Sequence, residues 1–199
     1  MFRNTLSLLV VIAVLGLVGS FAFGSTGHIY YSDGPWKGTV IDSETREPIE
    51  GAVVVAVWER RYAGPAGPYS SFLDAVEVPT DKDGRFLIPK FWKLNLLPII
   101  SWIEGPTFQI FKPGYTAFPG PALRYFDYFP KSPLGVSRGA LADLFKKGVV
   151  VEVLKLKTRQ ERLDNIPSGP FAEVRSEKLP LLFKSINEEN KELGLKEER

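Results

Sequence analysis

Residues 36–60, WKGTVIDSETREPIEGAVVVAVWER, contain two β-strand patterns separated by a turn-forming segment. Residues 36–41 alternate small or apolar side chains with polar ones, residues 42–50 are rich in turn formers, and residues 52–58 are largely β-branched. This order predicts a strand, a loop and a second strand. Because the second strand is apolar at consecutive positions, we expect it to be covered on both faces.

The stretch TDKDGRFLIP, residues 80–89, predicts a hairpin turn followed by another strand. The side chains of Asp81 and Asp83 can accept hydrogen bonds from nearby backbone amides, and Gly84 tolerates the positive φ of a tight turn. The two carboxylates also raise the question of a metal site, because oxygen atoms at alternating positions suit a hard cation.

The residues after this turn favour a structural role. Phe86 and Ile88 share one face of the predicted strand, and burying both is worth roughly 3–6 kcal/mol in total. The EF-hand pattern fails, because Arg85 occupies the fifth loop position and Phe86 the sixth, where glycine belongs. We therefore expect no metal site here, and no cofactor.

The rest of the chain has strand, loop and helix patterns of its own. We interpret the apolar segment between residues 89 and 106, which Pro98 interrupts, as an insertion lying on the core. Further elements are predicted at residues 72–78 (strand), 108–111 (strand), 113–114 (turn), 119–135 (long aromatic loop), 137–147 (short helix) and 148–158 (last strand, at an edge or with a bulge).

From residue 158 the composition changes to charged, helix-forming residues. Leu182, Ile186 and Leu193 recur at roughly helical spacing, and Gly194 is a plausible stop. An amphipathic helix packed on the sandwich or on a partner fits best, and a solvated tail is the alternative. The expected organisation is a targeting segment (1–24), a linker (25–35), a β-sandwich (36–157) and a charged helical tail (158–199).

The N-terminal residues predict export. Residues 5–24 carry no charge and follow Arg3, and residues 8–18 have the length of a signal-peptide apolar region. Small residues at Ala22 and Gly24 favour cleavage before residue 25, while an uncleaved hydrophobic helix that anchors the chain is the alternative. In either case the remainder is expected to be periplasmic, secreted or anchored to the membrane.

Several short strands separated by turn signals indicate an all-β sandwich. The segments GTVIDSETREPIEGAVVVA (38–56), TDKDGRFLIP (80–89) and FKPGY (111–115) together resemble carboxypeptidase regulatory-like domains, which are transthyretin-like (prealbumin-like) sandwiches. The matching positions are Gly38, Val40, Asp42, Thr45, Pro48, Ile49, Gly51, Ala52, Val53, Thr80, Asp81, Gly84, Phe86, Gly114 and Tyr115. The resemblance implies an antiparallel sandwich that serves as an accessory, non-catalytic module of envelope and secreted proteins.

Composition excludes several chemistries. The chain has no cysteine and a single histidine, His28, which removes disulfides, thiolate sites and multi-histidine zinc sites. A net charge of +2 argues against a nucleic-acid partner. A glycoside hydrolase would need two acidic groups across a cleft, and the available candidates are Asp42, Glu44, Asp74 and Glu77.

Aromatic residues are concentrated between residues 92 and 129. Exposed aromatic patches commonly mark binding surfaces, so Trp102, Tyr115, Tyr125 and Tyr128 are the candidate ligand- or partner-binding residues. The first hypothesis is a non-enzymatic exported module that binds or scaffolds another cell-envelope component, a protein or a glycan. A carbohydrate-binding module and, less favoured, a hydrolase are the alternatives, and the aromatic loop could instead fold back to cover the sandwich.

Overall fold

The computed structural model describes residues 27–119, 138–167 and 176–197. The strands in these ranges are β1 (Tyr30–Asp33), β2 (Trp36–Asp42), β3 (Val53–Tyr62), β4 (Tyr69–Pro79), β5 (Arg85–Ile88), β6 (Phe91–Leu94), β7 (Ser101–Phe111) and β8 (Val149–Val153). The helices are α1 (Arg138–Lys147), α2 (Arg159–Asp164) and α3 (Pro180–Leu193), with a 3-10 turn at Ser176–Lys178.

The strands form a β-sandwich. One sheet has the order β4-β3-β7 and the other β5-β2-β8. The two-stranded ribbon β1-β6 continues the β2–β5 pairing, because Asp33 lies opposite Phe91 and Trp36 lies opposite Ile88. The pairs are antiparallel except β2–β8, which is parallel. The expectation of an all-antiparallel sandwich was therefore wrong for β8. This strand follows α1 in the chain and pairs in parallel with β2, which lies far earlier in the sequence.

Strand β3 is covered on both faces, as its apolar pattern predicts. Val54, Ala56 and Trp58 face the core between the two sheets. Val53, Val55 and Val57 face outward into a second core, which α3 closes with Leu182 and Ile186. Each of the six residues from 53 to 58 is at most 5% exposed.

Aromatic rings fill the space between the sheets. Trp58 stacks on Phe91 with ring centroids 4.0 Å apart, and Phe108 stacks on Phe145 at 4.1 Å. Phe145 belongs to α1, so this helix completes the core with an aromatic side chain instead of a further strand. The sequence predicted this helix, and the stacking of Phe145 on Phe108 explains why it packs between the sheets.

The turn at residues 81–84 joins the two sheets. Asp81 Oδ1 accepts hydrogen bonds from the amides of Asp83 (3.0 Å) and Arg85 (2.8 Å), and Gly84 has a φ of 71°. The predicted turn is confirmed, but a hairpin is wrong, because β4 pairs with β3 whereas β5 pairs with β2. Phe86 and Ile88 are buried in the core as expected.

Other boundaries differ from those expected. Strands β3 and β4 extend to a loop of residues 63–68, because they pair along ten positions up to Tyr62 and Tyr69. The predicted strand at 108–111 is the end of an 11-residue β7. Strand β8 is shorter than residues 148–158 and lies at a sheet edge. The aromatic loop lies outside the described residues apart from Pro119.

The described part of the C-terminal segment is held to the sandwich by polar contacts. The Glu77 carboxylate on β4 accepts the amides of Leu181 (2.7 Å) and Leu182 (3.0 Å), which satisfies donors in the first turn of α3. Buried Glu189 accepts two hydrogen bonds from Arg162 on α2, at 2.7 and 2.6 Å, and one from the Gly114 amide at 2.9 Å. These bonds connect α2, α3 and the turn after β7.

Thr80 provides a first test of the fold. Its buried hydroxyl accepts the Ala52 amide at 2.8 Å and donates to the Ile49 carbonyl at 2.6 Å. We expect Thr80→Val to lower the free energy of unfolding by about 1–3 kcal/mol, because a buried donor and acceptor lose their partner. Urea unfolding measures this, with Thr80→Ser as the hydroxyl-retaining control; equal stability of both variants would contradict the bridging role.

Arg162 provides a second test. Arg162→Gln leaves the Glu189 carboxylate buried without its cation, so we expect a loss of about 2–4 kcal/mol in the free energy of unfolding. Because the Arg162 side chain is 22% exposed, the expected loss is smaller than for a fully buried pair. Lys184→Gln is the matched control, because it breaks a solvent-exposed 4.0 Å pair with Glu188 on the same helix. Equal losses in the two variants would show that the Arg162 contact does not hold α3.

Candidate functional site

The β1–β6 ribbon has an apolar outer face. Tyr30 lies opposite Leu94, and Ser32 lies opposite Trp92, while the alternate pairs Tyr31–Lys93 and Asp33–Phe91 face the other way. The rings of Tyr30 and Trp92 stack with centroids 6.4 Å apart and an interplanar angle of 25°. Tyr30, Trp92 and Leu94 are at least half exposed.

The loop after β6 continues this apolar face. Leu96, Leu97, Ile99 and Ile100 are exposed, Leu96 by 80% and Ile99 by 74%. The interpretation of residues 89–106 as an insertion lying on the core is therefore wrong for residues 96–100, although Phe91 does lie in the core. The first part of this segment is the edge ribbon, its middle is an outward-facing loop, and its last part belongs to β7.

Two buried polar residues, Asn95 and Ser101, fix the conformation of this loop. Asn95 is fully buried, its amide nitrogen donates to the Ser101 carbonyl at 2.7 Å, and its Oδ1 accepts the Leu97 amide at 3.3 Å. Ser101 Oγ lies 2.9 Å from both Asn95 Oδ1 and the Leu97 carbonyl oxygen, either of which can accept its proton. The apolar side chains point outward because the polar groups of the loop are bonded inward.

We name this surface the apolar end. Eight of the fourteen exposed large apolar side chains in the described residues lie here, so the exposure is concentrated rather than scattered. Contiguous exposed apolar surface of this kind marks a contact site more often than single exposed residues do. The apolar end consists of Ile29, Tyr30, Trp92, Leu94, Leu96, Leu97, Ile99 and Ile100.

The inner face of the ribbon is joined to the sandwich. Lys93 pairs with Asp74 on β4 at 2.8 Å, and Lys146 on α1 pairs with Asp33 at 2.7 Å. The Tyr31 hydroxyl donates to the Gly105 carbonyl at 3.3 Å. Burial, and then the Asp33 charge, raise the pKa of Tyr31 to about 12, and the Asp33 hydrogen bond raises the pKa of Lys146.

The structure does not bring the predicted binding residues Trp102 and Tyr115 together. Trp102 is half-buried near the start of β7, opposite Arg61. Tyr115 lies beyond the other end of that strand, bridged to Lys155, and burial raises its pKa. An 11-residue strand separates the two ends by about 30 Å. Tyr125 and Tyr128 lie outside the described residues, so a sugar site formed by them stays a prediction.

The acidic residues considered for hydrolysis have structural partners. Asp42 Oδ1 accepts the amides of Glu44 (2.8 Å) and Thr45 (3.0 Å). Glu44 pairs with Lys157 at 2.9 Å, while Asp74 and Glu77 hold Lys93 and α3 as described above. Within the described ranges, no three His, Cys, Asp or Glu side chains are grouped so that they could share a metal ion.

Comparisons with protein-family models, with curated proteins and with solved structures gave no match. Each helix in residues 27–119, 138–167 and 176–197 is too short or too polar to span a bilayer.

The residues of the apolar end were not recognised as a site from the sequence. Their apolar character was visible in KFWKLNLLPII, residues 90–100, but apolar residues are buried more often than exposed. The available signal was Asn95, a polar residue that caps a turn, followed closely by Pro98. It indicates a loop, and loops lie on the surface.

Tyr31 generates a test of the ribbon's attachment. A phenol whose pKa is raised in the folded state stabilises the fold below its ordinary value near 10. That contribution is lost as the pH rises towards about 12. Because Tyr31 is only partly buried, we expect the wild type to lose about 1–2 kcal/mol more than Tyr31→Phe over this window.

Urea unfolding at a series of alkaline pH values measures this difference in free energy. Tyr69→Phe, a change at an exposed tyrosine, is the matched control and is expected to follow the wild type. A Tyr31→Phe curve parallel to that of the wild type would contradict the burial of the phenol.

Proposed function

We propose that this chain is a non-catalytic, exported β-sandwich module that binds or scaffolds another component of the cell envelope. We further propose that the sandwich is of the transthyretin-like, carboxypeptidase regulatory-like kind. The segments 38–56, 80–89 and 111–115 support this second point, since Val40 and Phe86 are core residues and Gly84 and Gly114 have positive φ in turns.

The apolar end carries the binding proposal. Its eight large side chains are between 48% and 80% exposed, and the buried Asn95–Ser101 contacts fix the loop that presents them. Keeping such side chains in water is unfavourable by roughly 25 cal/mol per Å² of apolar surface. A rigid surface of this kind is therefore expected to be covered by a binding partner.

The structural contacts of the acidic residues support the non-catalytic part of the proposal. Asp42 caps a turn, Glu77 caps α3, and Glu189 neutralises Arg162. Each has a structural role. The N-terminal residues support export, because an uncharged run of about 20 residues after Arg3 is typical of a signal peptide or membrane anchor.

The chain's lack of cysteine allows a direct test. A single cysteine is introduced as Ile99→Cys in the full chain, which is expressed and exported. A water-soluble maleimide is then added to isolated envelopes, and the labelled fraction is compared with that after unfolding in urea. We expect position 99 to be strongly protected, because an envelope component covers the apolar end.

Val150→Cys is the matched control. Val150 is aliphatic and 56% exposed, but it lies on β8, away from the ribbon. We expect it to react freely. Equal labelling at positions 99 and 150 would show that the apolar end is uncovered and would remove the observation on which the binding proposal rests.

A further inference from the structure

Gly27, the first residue that the structure describes, lies next to the apolar end. The Gly27 amide donates to the Pro98 carbonyl at 2.7 Å, in the middle of the exposed loop. A Cβ at Gly27 would lie 2.1 Å from the Ser101 carbonyl oxygen, so the backbone is packed tightly here. The apolar run of the N-terminal sequence ends at Gly24, and three residues span at most about 10 Å.

We propose that residues 5–24 remain attached as a membrane anchor, the second of the two alternatives for this segment, and that the apolar end is a lipid-contacting surface in the interfacial layer of the same bilayer. The inference rests on the proposed function and names its partner: the envelope component that covers the surface is the membrane itself. An anchored chain cannot hold Gly27 far from the lipid headgroups, because the connection is so short. The exposed loop next to Gly27 is then at membrane depth.

The composition of the apolar end fits a bilayer interface. Its stacked aromatic pair, Tyr30 and Trp92, belongs to the residue types that favour the headgroup level. The aliphatic residues at the loop tip suit the outer hydrocarbon. Residues 89–103 contain two lysines and no acidic residue, and one of these lysines, Lys93, is already paired with Asp74. The segment therefore presents no negative charge to an anionic lipid.

The backbone of the loop also fits lipid, because polar groups there must be satisfied internally. The amides of Ile100 and Ser101 donate to the Leu97 carbonyl at 3.2 and 2.9 Å, and the Ile100 carbonyl accepts the Ala63 amide at 2.9 Å. The Pro98 carbonyl accepts from Gly27, and Pro98 has no amide to satisfy. These backbone groups thus keep their hydrogen bonds when the loop enters a less polar medium.

Tethering favours lipid over a separate protein or a second copy of the chain. A surface linked to the bilayer by three residues meets lipid at a high effective concentration, so even a small apolar contact is occupied. A protein partner would have to compete with this contact. It would also have to reach a surface that lies beside Gly27, three residues from the proposed anchor.

The test uses the full chain reconstituted into nanodiscs of phosphatidylethanolamine and phosphatidylglycerol. Leu96→Cys and Ile99→Cys are each labelled with an environment-sensitive fluorophore, and Val150→Cys is the control. Emission is compared between discs with ordinary acyl chains and discs with brominated acyl chains. We expect most of the emission to be lost at positions 96 and 99 in brominated discs, with no loss at position 150.

Equal emission in both kinds of disc at positions 96 and 99 would overturn the lipid inference. If position 99 is nevertheless protected from maleimide in isolated envelopes, the surface binds a protein or a glycan, and the proposed function survives without the lipid partner. If position 99 is neither quenched in discs nor protected in envelopes, both proposals fail.

Discussion

The structure depends on one constraint, which is that the first six residues of β3 have no polar face. Residues 53–58 are buried on both sides, so a single sheet packed on a single core cannot satisfy them. The inner face requires the opposing sheet of β2, β5 and β8, with the aromatic rings of Trp58, Phe91 and Phe108 between them. The outer face requires a further layer, which α3 provides. The C-terminal helix is thus part of the domain.

That outer layer explains why a charged residue, Glu189, is buried in the described part of the C-terminal segment. A helix packed on a sheet by an apolar stripe alone could slide or rotate. The Glu77 carboxylate fixes the start of α3, and the Arg162–Glu189 pair fixes its middle to α2 and to the turn after β7. These contacts join segments that lie 27 to 105 positions apart along the chain. These polar contacts fix where α3 lies on the sheet, whereas the burial of its apolar side chains stabilises it there.

Local patterns were sufficient for β2, β3, α1 and the burial of Phe86 and Ile88, because their periodicity arises within a few residues. Pairing between distant segments was not predictable in this way. The parallel pairing of β8 with β2 depends on contacts between segments far apart in the sequence. The same holds for the turn at residues 81–84, which leads from one sheet to the other. For the candidate site, the apolar residues of the 90–100 segment were recognised but assigned to the core. The exposed fractions of these side chains, together with the inward bonds of Asn95 and Gly27, show that they face outward.

The apolar end differs from the rest of the molecule because its side chains are not needed by either core. Both faces of β3 are already covered, and the loop is supported from below by polar contacts. Hydrogen–deuterium exchange of the full chain tests most directly whether this is a built surface. We expect the amides of Leu97, Ile100 and Ser101 to exchange slowly, like neighbouring strand amides, although their loop is exposed. Exchange at the rate of an unstructured chain would contradict a preformed apolar end.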